Sequence, residues 1–432
     1  MNAFKEFLPG THPTPQTDFR KTTLDNGIRI VSDRIPSVRS LSVGTWVEVG
    51  SRDEDELSNG ISHFVEHMVF KGTRRYSARK IARSLESLGG YLNAFTTKEH
   101  TCFYARALDE HLEQALDVLS ELVFYPRFER KDIEKEKLVV LEEIRNIEDN
   151  PDDLIHDEFE QALYPGHPVG FPVIGKAENI SRFSLDDLSD HVERHYRPGR
   201  LVVAAAGNVN HDDLVRMVRR LFKARGTNGR RRSARRAARV NGTAGKREVE
   251  KSIVQAHVCL GTVAYSIKSK FRYPLLVLNT LLGDGMSSRL FQNIRELHGL
   301  AYSVYSFINL MSDTGSFGVY LGTEKQNVEN ALELVDKEIE RLKAKPVSGA
   351  ELRRTQSQLK GSMMIGLESM TSRMMRIGAG ELYFREYISL DRILKSVDAV
   401  TPDDVQKVAK KLFNHEFTTV IYRPSSPESK PA

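Results

Sequence analysis

The chain has 432 residues, of which 40% are hydrophobic and 28% are charged, and its net charge at pH 7 is +5. A chain of this length exceeds one ordinary hydrophobic core, so two or more domains are expected. No apolar run reaches the roughly 18 residues of a membrane helix, and the first twenty residues carry neither a secretion signal nor an Arg-rich transit pattern, so a cytoplasmic protein is expected, or one of an organelle matrix if a transit peptide was removed.

The first half of the chain alternates strand and helix signals. Alternating β-branched residues predict strands at 27–35 and 39–50, two more joined by a short polar turn within 92–108, and a buried strand at 200–209. Apolar residues at helical spacing predict helices at 78–90, 110–124, 131–149 and 186–196. Because the strands come in adjacent groups with helices after them, the pattern favours an α+β fold, a mostly antiparallel sheet covered by helices.

A basic segment divides the chain near its middle. Residues 225–247 contain nine Lys/Arg and no acid. Without these nine positive charges, the net charge of +5 becomes −4 for the rest of the chain. The segment has almost no large apolar side chains, which predicts a solvated linker. A nucleic-acid contact through its arginines is the alternative, and the absence of interleaved aromatic residues makes nucleic-acid binding the less favoured interpretation.

The two halves resemble each other. Residues 113–123 match residues 329–339 at an offset of 216, and residues 184–196 match residues 401–413 at an offset of 217. Two independent stretches with nearly one offset indicate an internal duplication. We therefore expect two homologous domains, 1–224 and 248–432, joined by the linker 225–247.

The stretch GISHFVEHMVFKGT, residues 60–73, carries the strongest chemical signal. Its apolar residues fit a helix, in which His63 and His67 lie four apart on one face with Glu66 beside them. Two imidazoles on one face can share a metal ion, and a neighbouring glutamate can take a proton from water at that ion. The alternative is a helix with two histidines that serve only the structure.

A third ligand is expected on the helix predicted at 131–149. Glu136 and Glu143 are seven residues apart, two turns, and therefore share a face of a helix otherwise rich in apolar residues. Two carboxylates on such a face are costly to bury unless a cation compensates them. If that face is instead exposed, both glutamates are ordinary surface residues.

These motifs resemble the pitrilysin-type, or inverzincin, zinc peptidases, and within that family the mitochondrial and bacterial processing-peptidase members. The order H-x-x-E-H, a glutamate 76 residues later and another seven before it are the family pattern. GGYLNAFTTKEHTCFYARAL, HYRPGRLVVAAAGNV and LHGLAYSVYS extend the resemblance over nearly the whole chain. It implies one zinc ion held by His63, His67 and Glu143, with Glu66 as general base and Glu136 supporting the site.

The resemblance also assigns roles outside the metal motif. The second half lacks the ligands and would be metal-free, but its Arg295 and Tyr302 would reach the substrate across a clamshell, with Tyr302 aiding the oxyanion. From the residues alone, Arg295 is a surface residue and Tyr302 packs in the core. By resemblance, Asn93 and Ala94 belong to an edge strand that binds the peptide as an added strand.

The expected function is that of a zinc metalloendopeptidase. Its substrate would be an extended or unfolded polypeptide, cleaved by water that Glu66 activates, and the partner expected besides substrate is a second copy in a homodimer. The alternative is a non-catalytic assembly or core-subunit protein of the same fold, which the intact His63, Glu66, His67 and Glu143 argue against.

Overall fold

The computed structural model of the protein describes residues 18–223 and 243–425. Most of the predicted linker lies outside the described residues, but its last three residues, 245–247, pair in a strand that begins at Gly245. The connecting segment therefore ends earlier than expected, because these residues hydrogen-bond to a neighbouring strand. Within the described ranges, no helix is both long and apolar enough to cross a membrane.

Each half of the chain contains one sheet and its covering helices. The first half comprises β1 Asp18–Thr23, β2 Arg29–Arg34, β3 Ser40–Val47, α1 Ile61–Val69, α2 Ala78–Glu86, β4 Tyr91–Thr96, β5 Thr101–Leu108, α3 Leu112–Phe124, α4 Arg130–Glu148, α5 Pro151–Leu163, α6 Ala177–Arg182, α7 Leu185–His195, β6 Leu201–Gly207 and α8 His211–Leu221. The second half comprises β7 Gly245–Lys251, β8 Ala256–Ala264, α9 Arg272–Gly283, β9 Ala301–Leu310, β10 Gly315–Thr323, α10 Val328–Ala344, α11 Gly349–Gly366, α12 Met370–Tyr383, α13 Leu390–Asp398, α14 Pro402–Leu412 and β11 Thr418–Pro424. The strands and helices predicted in the first half are all present.

The two sheets share one topology. The first has the order β1-β2-β6-β3-β5-β4 and the second the order β7-β11-β8-β10-β9. Each contains a single parallel pair, β2 with β6 and β7 with β11, and all other neighbours are antiparallel. Without β1, the two strand orders match strand for strand. This match confirms the predicted duplication and the mostly antiparallel α+β fold.

Each sheet has a main core on one face. In the first half, Ile30, Val43 and Val203 of the sheet are fully buried beneath helices that include α1, α3 and α7. In the second half, Val258 and Val319 lie beneath α9, α10 and α14 in the same way. Side chains of a strand alternate between the two faces of its sheet. The face opposite each main core therefore also needs to be covered by other elements.

Helices exchanged between the halves cover those opposite faces. Helix α5 of the first half packs on β8 and β11, and α12 of the second half packs on β2, β3 and β6. Phe159 of α5 is buried with Tyr422, while Met374 of α12 is buried with Trp46. Each half therefore completes a core of the other, so the halves are joined by apolar burial as well as by the chain.

Candidate metal centre

Helix α1 begins at a tightly packed turn. The preceding Gly60 has a φ of +100° and lies against Gly175, so that a Cβ on Gly60 would come within 2.8 Å of the Gly175 Cα. Glu54, which is buried, accepts hydrogen bonds from the backbone N–H groups of Gly60 and Ser62, both at 2.8 Å. Burial raises the pKa of Glu54, and the hydrogen bonds that it accepts oppose this rise. A carboxylate thus satisfies the otherwise unpaired donors at the start of the helix.

The two faces of α1 have opposite chemistry. Phe64, Val65 and Met68 are completely buried in the first-half core. His63 and His67 project from the other side, and their ring centroids are 4.6 Å apart. The apolar side therefore fixes the helix against the sheet and holds both imidazoles in place, as the sequence predicts.

Helix α4 brings a carboxylate to the two imidazoles. Glu143 Oε2 lies 3.6 Å from His67 Nε2 and 3.9 Å from His63 Nε2. One ligand atom from each of the three residues lies within 4.8 Å of the other two. Ligand atoms at about 2.1 Å from a tetrahedral zinc ion are about 3.4 Å apart, so a small contraction gives the required spacing. His63, His67 and Glu143 can form a metal site.

The two histidines differ in their proton affinity. Burial, with a smaller contribution from His67, lowers the pKa of His63 to about 3, so its imidazole is neutral at pH 7. Burial also lowers the pKa of His67, but the carboxylates of Glu136, Glu143 and Glu66 outweigh it and the net shift is upward. Metal ligation requires neutral imidazole, so His63 is already in the binding form, whereas the upward pKa shift of His67 favours the protonated form that does not bind metal.

Glu136 orients His67 from the side away from Glu143. Its Oε1 lies 2.9 Å from His67 Nδ1, and its Oε2 lies 2.5 Å from the Lys71 ammonium. Glu136 is only 4% exposed, so the surface alternative for this residue is wrong. Burial raises the pKa of Glu136, but His67 and Lys71 lower it below its ordinary value overall, which keeps the carboxylate ionised. An ionised partner at Nδ1 directs Nε2 towards the metal position.

Glu66 has a partner on the neighbouring strand. Thr96, the last residue of β4, donates a hydrogen bond of 2.6 Å from Oγ1 to Glu66 Oε2. Burial raises the pKa of Glu66, Thr96 and His67 lower it, and Glu143 raises it further, so the net shift is upward. The general base predicted from the sequence is thus a half-buried carboxylate with one oxygen fixed.

Sequence reasoning did not identify three residues that hold this centre together. Thr96 and Lys71 contact Glu66 and Glu136 across elements that are distant in the chain, and their residue types alone carry no signal. Glu54 lies six residues before Gly60, and an acidic residue ahead of a predicted helix start is a weak capping signal that could have been noticed.

Asn93 and Ala94 lie on a sheet edge. Their strand, β4, pairs only with β5 among the described strands, so its other edge is free. The Ala94 N–H donates at 2.9 Å to the Asn93 side chain, whose Nδ2 in turn donates to the Tyr91 hydroxyl at 2.6 Å. A free strand edge can receive an added strand. Binding of substrate by these residues stays a prediction.

Arg295 and Tyr302 lie side by side on the second half. The Arg295 guanidinium, on the π-helical segment Phe291–Leu297, is 5.4 Å from the Tyr302 ring centroid. Tyr302 is 74% exposed, so its assignment to the core from the residues alone is wrong. Within the described ranges, no hydrogen bond or ion pair joins either residue to the metal ligands, and their role towards substrate stays a prediction.

The second half contains the same two helices without their ligands. By position in the fold, α9 corresponds to α1 and α11 to α4. Helix α9, RYPLLVLNTLLG, has no histidine or acid, and the second half of α11, QLKGSMMIG, has no carboxylate. The duplication therefore retained the scaffold in both halves and the ligand set in one.

Known proteins resemble this chain over most of its length. A family profile described as insulinase (peptidase family M16) matches residues 29–177, and one described as the peptidase M16 inactive domain matches residues 182–359. A Bacillus subtilis protein named uncharacterized zinc protease YmxG is 40% identical, over 94% of this chain and 98% of its own. An uncharacterized zinc protease of Mycobacterium leprae is 41% identical, over 94% of this chain and 91% of its own.

Solved structures share the fold. A protease from Helicobacter pylori has a TM-score of 0.88 at 24% identity, with 94% of this chain and all of that chain covered. A Pseudomonas fluorescens protein described as a peptidase M16 inactive domain has a TM-score of 0.86 at 22% identity and covers 96% of this chain. With the ligand motif, the duplicated fold and relatives at 40% identity, the chain belongs to the insulinase family, peptidase family M16.

Proposed function

We propose that this protein is a zinc-dependent endopeptidase acting on extended or unfolded peptides. The observation that carries the proposal is the convergence of His63 and His67 of α1 with Glu143 of α4, with the half-buried Glu66 beside them. The names of the relatives, zinc proteases, support the same assignment.

The residues fit zinc. Two imidazole nitrogens and one carboxylate oxygen form a three-ligand set of the kind found at catalytic zinc, which keeps one position open. His63 Nδ1 is buried without a hydrogen-bond partner in the described part of the chain, so only its Nε2 has polar neighbours. When bound, zinc supplies Lewis acidity to the peptide carbonyl and lowers the pKa of water towards neutrality.

Glu66 is the proposed general base. Its pKa is raised by burial, which suits a group that accepts a proton from the attacking water and returns it to the leaving amine. Thr96 holds one carboxylate oxygen at 2.6 Å, which leaves the other oxygen to accept the proton of the reacting water. No covalent intermediate with the protein is needed.

The free edge of β4 is the proposed binding surface for the peptide. Thr96 and Ala94 belong to this one strand, so a peptide that pairs with it runs beside the base. An edge strand recognises backbone, which favours extended substrates over folded ones. We also propose that Arg295 and Tyr302 stabilise the charge that develops on the attacked carbonyl, and that the chain forms a homodimer.

Hydrolysis of internally quenched peptides, measured together with zinc content, tests the assignment. The wild type is expected to carry about one zinc per chain and to cleave. Glu66→Gln is expected to retain zinc and lose nearly all activity, whereas the exposed Glu142→Gln serves as an active control. Zinc-loaded wild-type protein that cleaves no peptide would favour the assembly-protein alternative, and equal activity in Glu66→Gln would exclude this base.

A further inference from the structure

A cavity of about 250 Å³ lies where α12, α9 and α13 meet β1. Its walls are apolar and aromatic, and they include Phe19, Leu276, Ile377, Phe384 and Tyr387. None of the metal-centre residues lines it. A cavity of about 150 Å³ accepts a benzene molecule of six non-hydrogen atoms, so this one has room for about ten.

Two acidic residues at the cavity already have cationic partners. Glu381 lies 2.7 Å from the Lys21 ammonium and 3.3 Å from the Arg29 guanidinium. Glu386 lies 2.7 Å from Arg392. Their negative charge is therefore compensated within the protein and does not repel an anion strongly.

Two arginines at the cavity lie over aromatic rings and not beside carboxylates: Arg272 is 4.5 Å from the Tyr273 ring and 4.9 Å from the Phe384 ring, and Arg376 is 5.5 Å from the Tyr387 ring. Arg272 donates to the Ile267 carbonyl at 3.0 Å and to a tyrosine hydroxyl, and Arg376 donates to the Ile388 carbonyl at 2.9 Å. Within the described residues, neither guanidinium has a carboxylate partner, and Arg376 Nε is buried without any hydrogen-bond acceptor. Both arginines are half-buried, and guanidinium groups that are partly withdrawn from water are normally paired with an acid.

We propose that this cavity binds a monocarboxylate with an aliphatic body, the chemistry of a medium-chain fatty acid. The apolar walls take the hydrocarbon, and Arg272 and Arg376 receive the carboxylate through charge-assisted hydrogen bonds. The volume favours a medium-chain acid over a long-chain one, and the two arginines favour an anion over a neutral hydrocarbon. The inference is independent of the peptidase assignment.

Two residues beside this cavity allow ligand binding to be detected and to be blocked. Trp46, the only tryptophan, packs in one cluster with Ile377, which also lines the cavity. A Cβ built on Gly380, another lining residue, meets no atom within 4 Å. Gly380→Leu therefore fills open space and, as a Gly replacement inside a helix, does not threaten folding. Gly361→Leu in α11, which is equally open but away from the cavity, is the matched control.

Calorimetric titration with sodium octanoate, which has ten non-hydrogen atoms, tests the proposal, with Trp46 emission as a second readout. Saturable binding is expected to wild type and Gly361→Leu. Binding to Gly380→Leu, Arg376→Gln and Arg272→Gln is expected to be at least about tenfold weaker, as is binding of 1-octanol to wild type. Absence of saturable binding, equal binding of octanol, or unchanged binding to Gly380→Leu would overturn the proposal. If the wild type is a dimer that does not bind octanoate, and the Gly380→Leu variant is a monomer, the cavity binds a second copy of the chain instead.

Discussion

Glu136 and Glu143, two turns apart on α4, contact opposite nitrogens of one imidazole. Glu136 Oε1 lies 2.9 Å from His67 Nδ1, and Glu143 Oε2 lies 3.6 Å from His67 Nε2. The helix thus supplies both a candidate ligand and the residue that orients another ligand, so its seven-residue spacing is a functional constraint. Substitutions at the two positions are expected to differ in severity.

Glu136→Gln is expected to weaken zinc affinity by about 10–100-fold, because the amide cannot hold His67 as an ionised carboxylate does. Chelator competition measures the dissociation constant. Glu134→Gln, which changes an exposed glutamate of the same helix, is the control and should leave the affinity unchanged. An affinity equal to that of wild type in Glu136→Gln would show that His67 needs no partner.

Glu143→Ala is expected to reduce zinc affinity by more than about 100-fold, beyond the effect expected at Glu136, since a ligand itself is removed. Its neighbour Glu142 points elsewhere and pairs with Arg145 at 2.5 Å. Glu142→Ala should therefore retain zinc and peptidase activity. Full zinc occupancy in Glu143→Ala would require a different third ligand.

Thr96→Val removes the hydrogen bond to Glu66 while preserving side-chain shape. Loss of a hydrogen bond to a charged acceptor is expected to lower kcat by about 10–100-fold, with zinc content unchanged. Thr96→Ser retains the hydroxyl and should recover most of the activity. If Thr96→Ser is as impaired as Thr96→Val, the hydrogen bond to Glu66 does not account for the loss.

Glu54→Ala leaves the N–H groups of Gly60 and Ser62 buried without acceptors. The free energy of unfolding is expected to fall by about 1–3 kcal/mol, as measured by chemical denaturation. Glu56→Ala, two residues away with its side chain 77% exposed, should be nearly neutral. Equal stability of the two variants would mean that water replaces the Glu54 carboxylate.

Stability is expected to fall between pH 6.5 and about 4. Burial, with a smaller contribution from Arg200, lowers the pKa of His195 from 6.5 to about 4. Burial also lowers the pKa of the neighbouring His191 well below its ordinary value. Across this window the unfolded chain binds protons that the folded chain does not, so acid favours unfolding. Denaturation at pH 7 and pH 5 should show a smaller loss in His195→Gln than in wild type, with the exposed His298→Gln as control.

Local periodicity was sufficient to predict much of the candidate site. The i, i+4 spacing of His63 and His67 and the seven-residue spacing of Glu136 and Glu143 each place side chains on one helix face, because helix geometry depends only on the local backbone. The motif spacing then linked the two helices by resemblance. Thr96 was missed because its contact with Glu66 depends on how β4 packs beside α1, which no local pattern encodes.

The sequence by itself determined many elements of the first half, the duplication and which half carries the ligand set, since these depend on residue type and spacing along the chain. Only the tertiary structure decided that α5 and α12 exchange between the halves. An amphipathic helix requires an apolar surface, but its pattern does not specify which of two similar sheets provides that surface. The cavity beside α12 lies at this exchange, because Phe19 of β1 in the first half lines it together with residues of α9, α12 and α13 in the second.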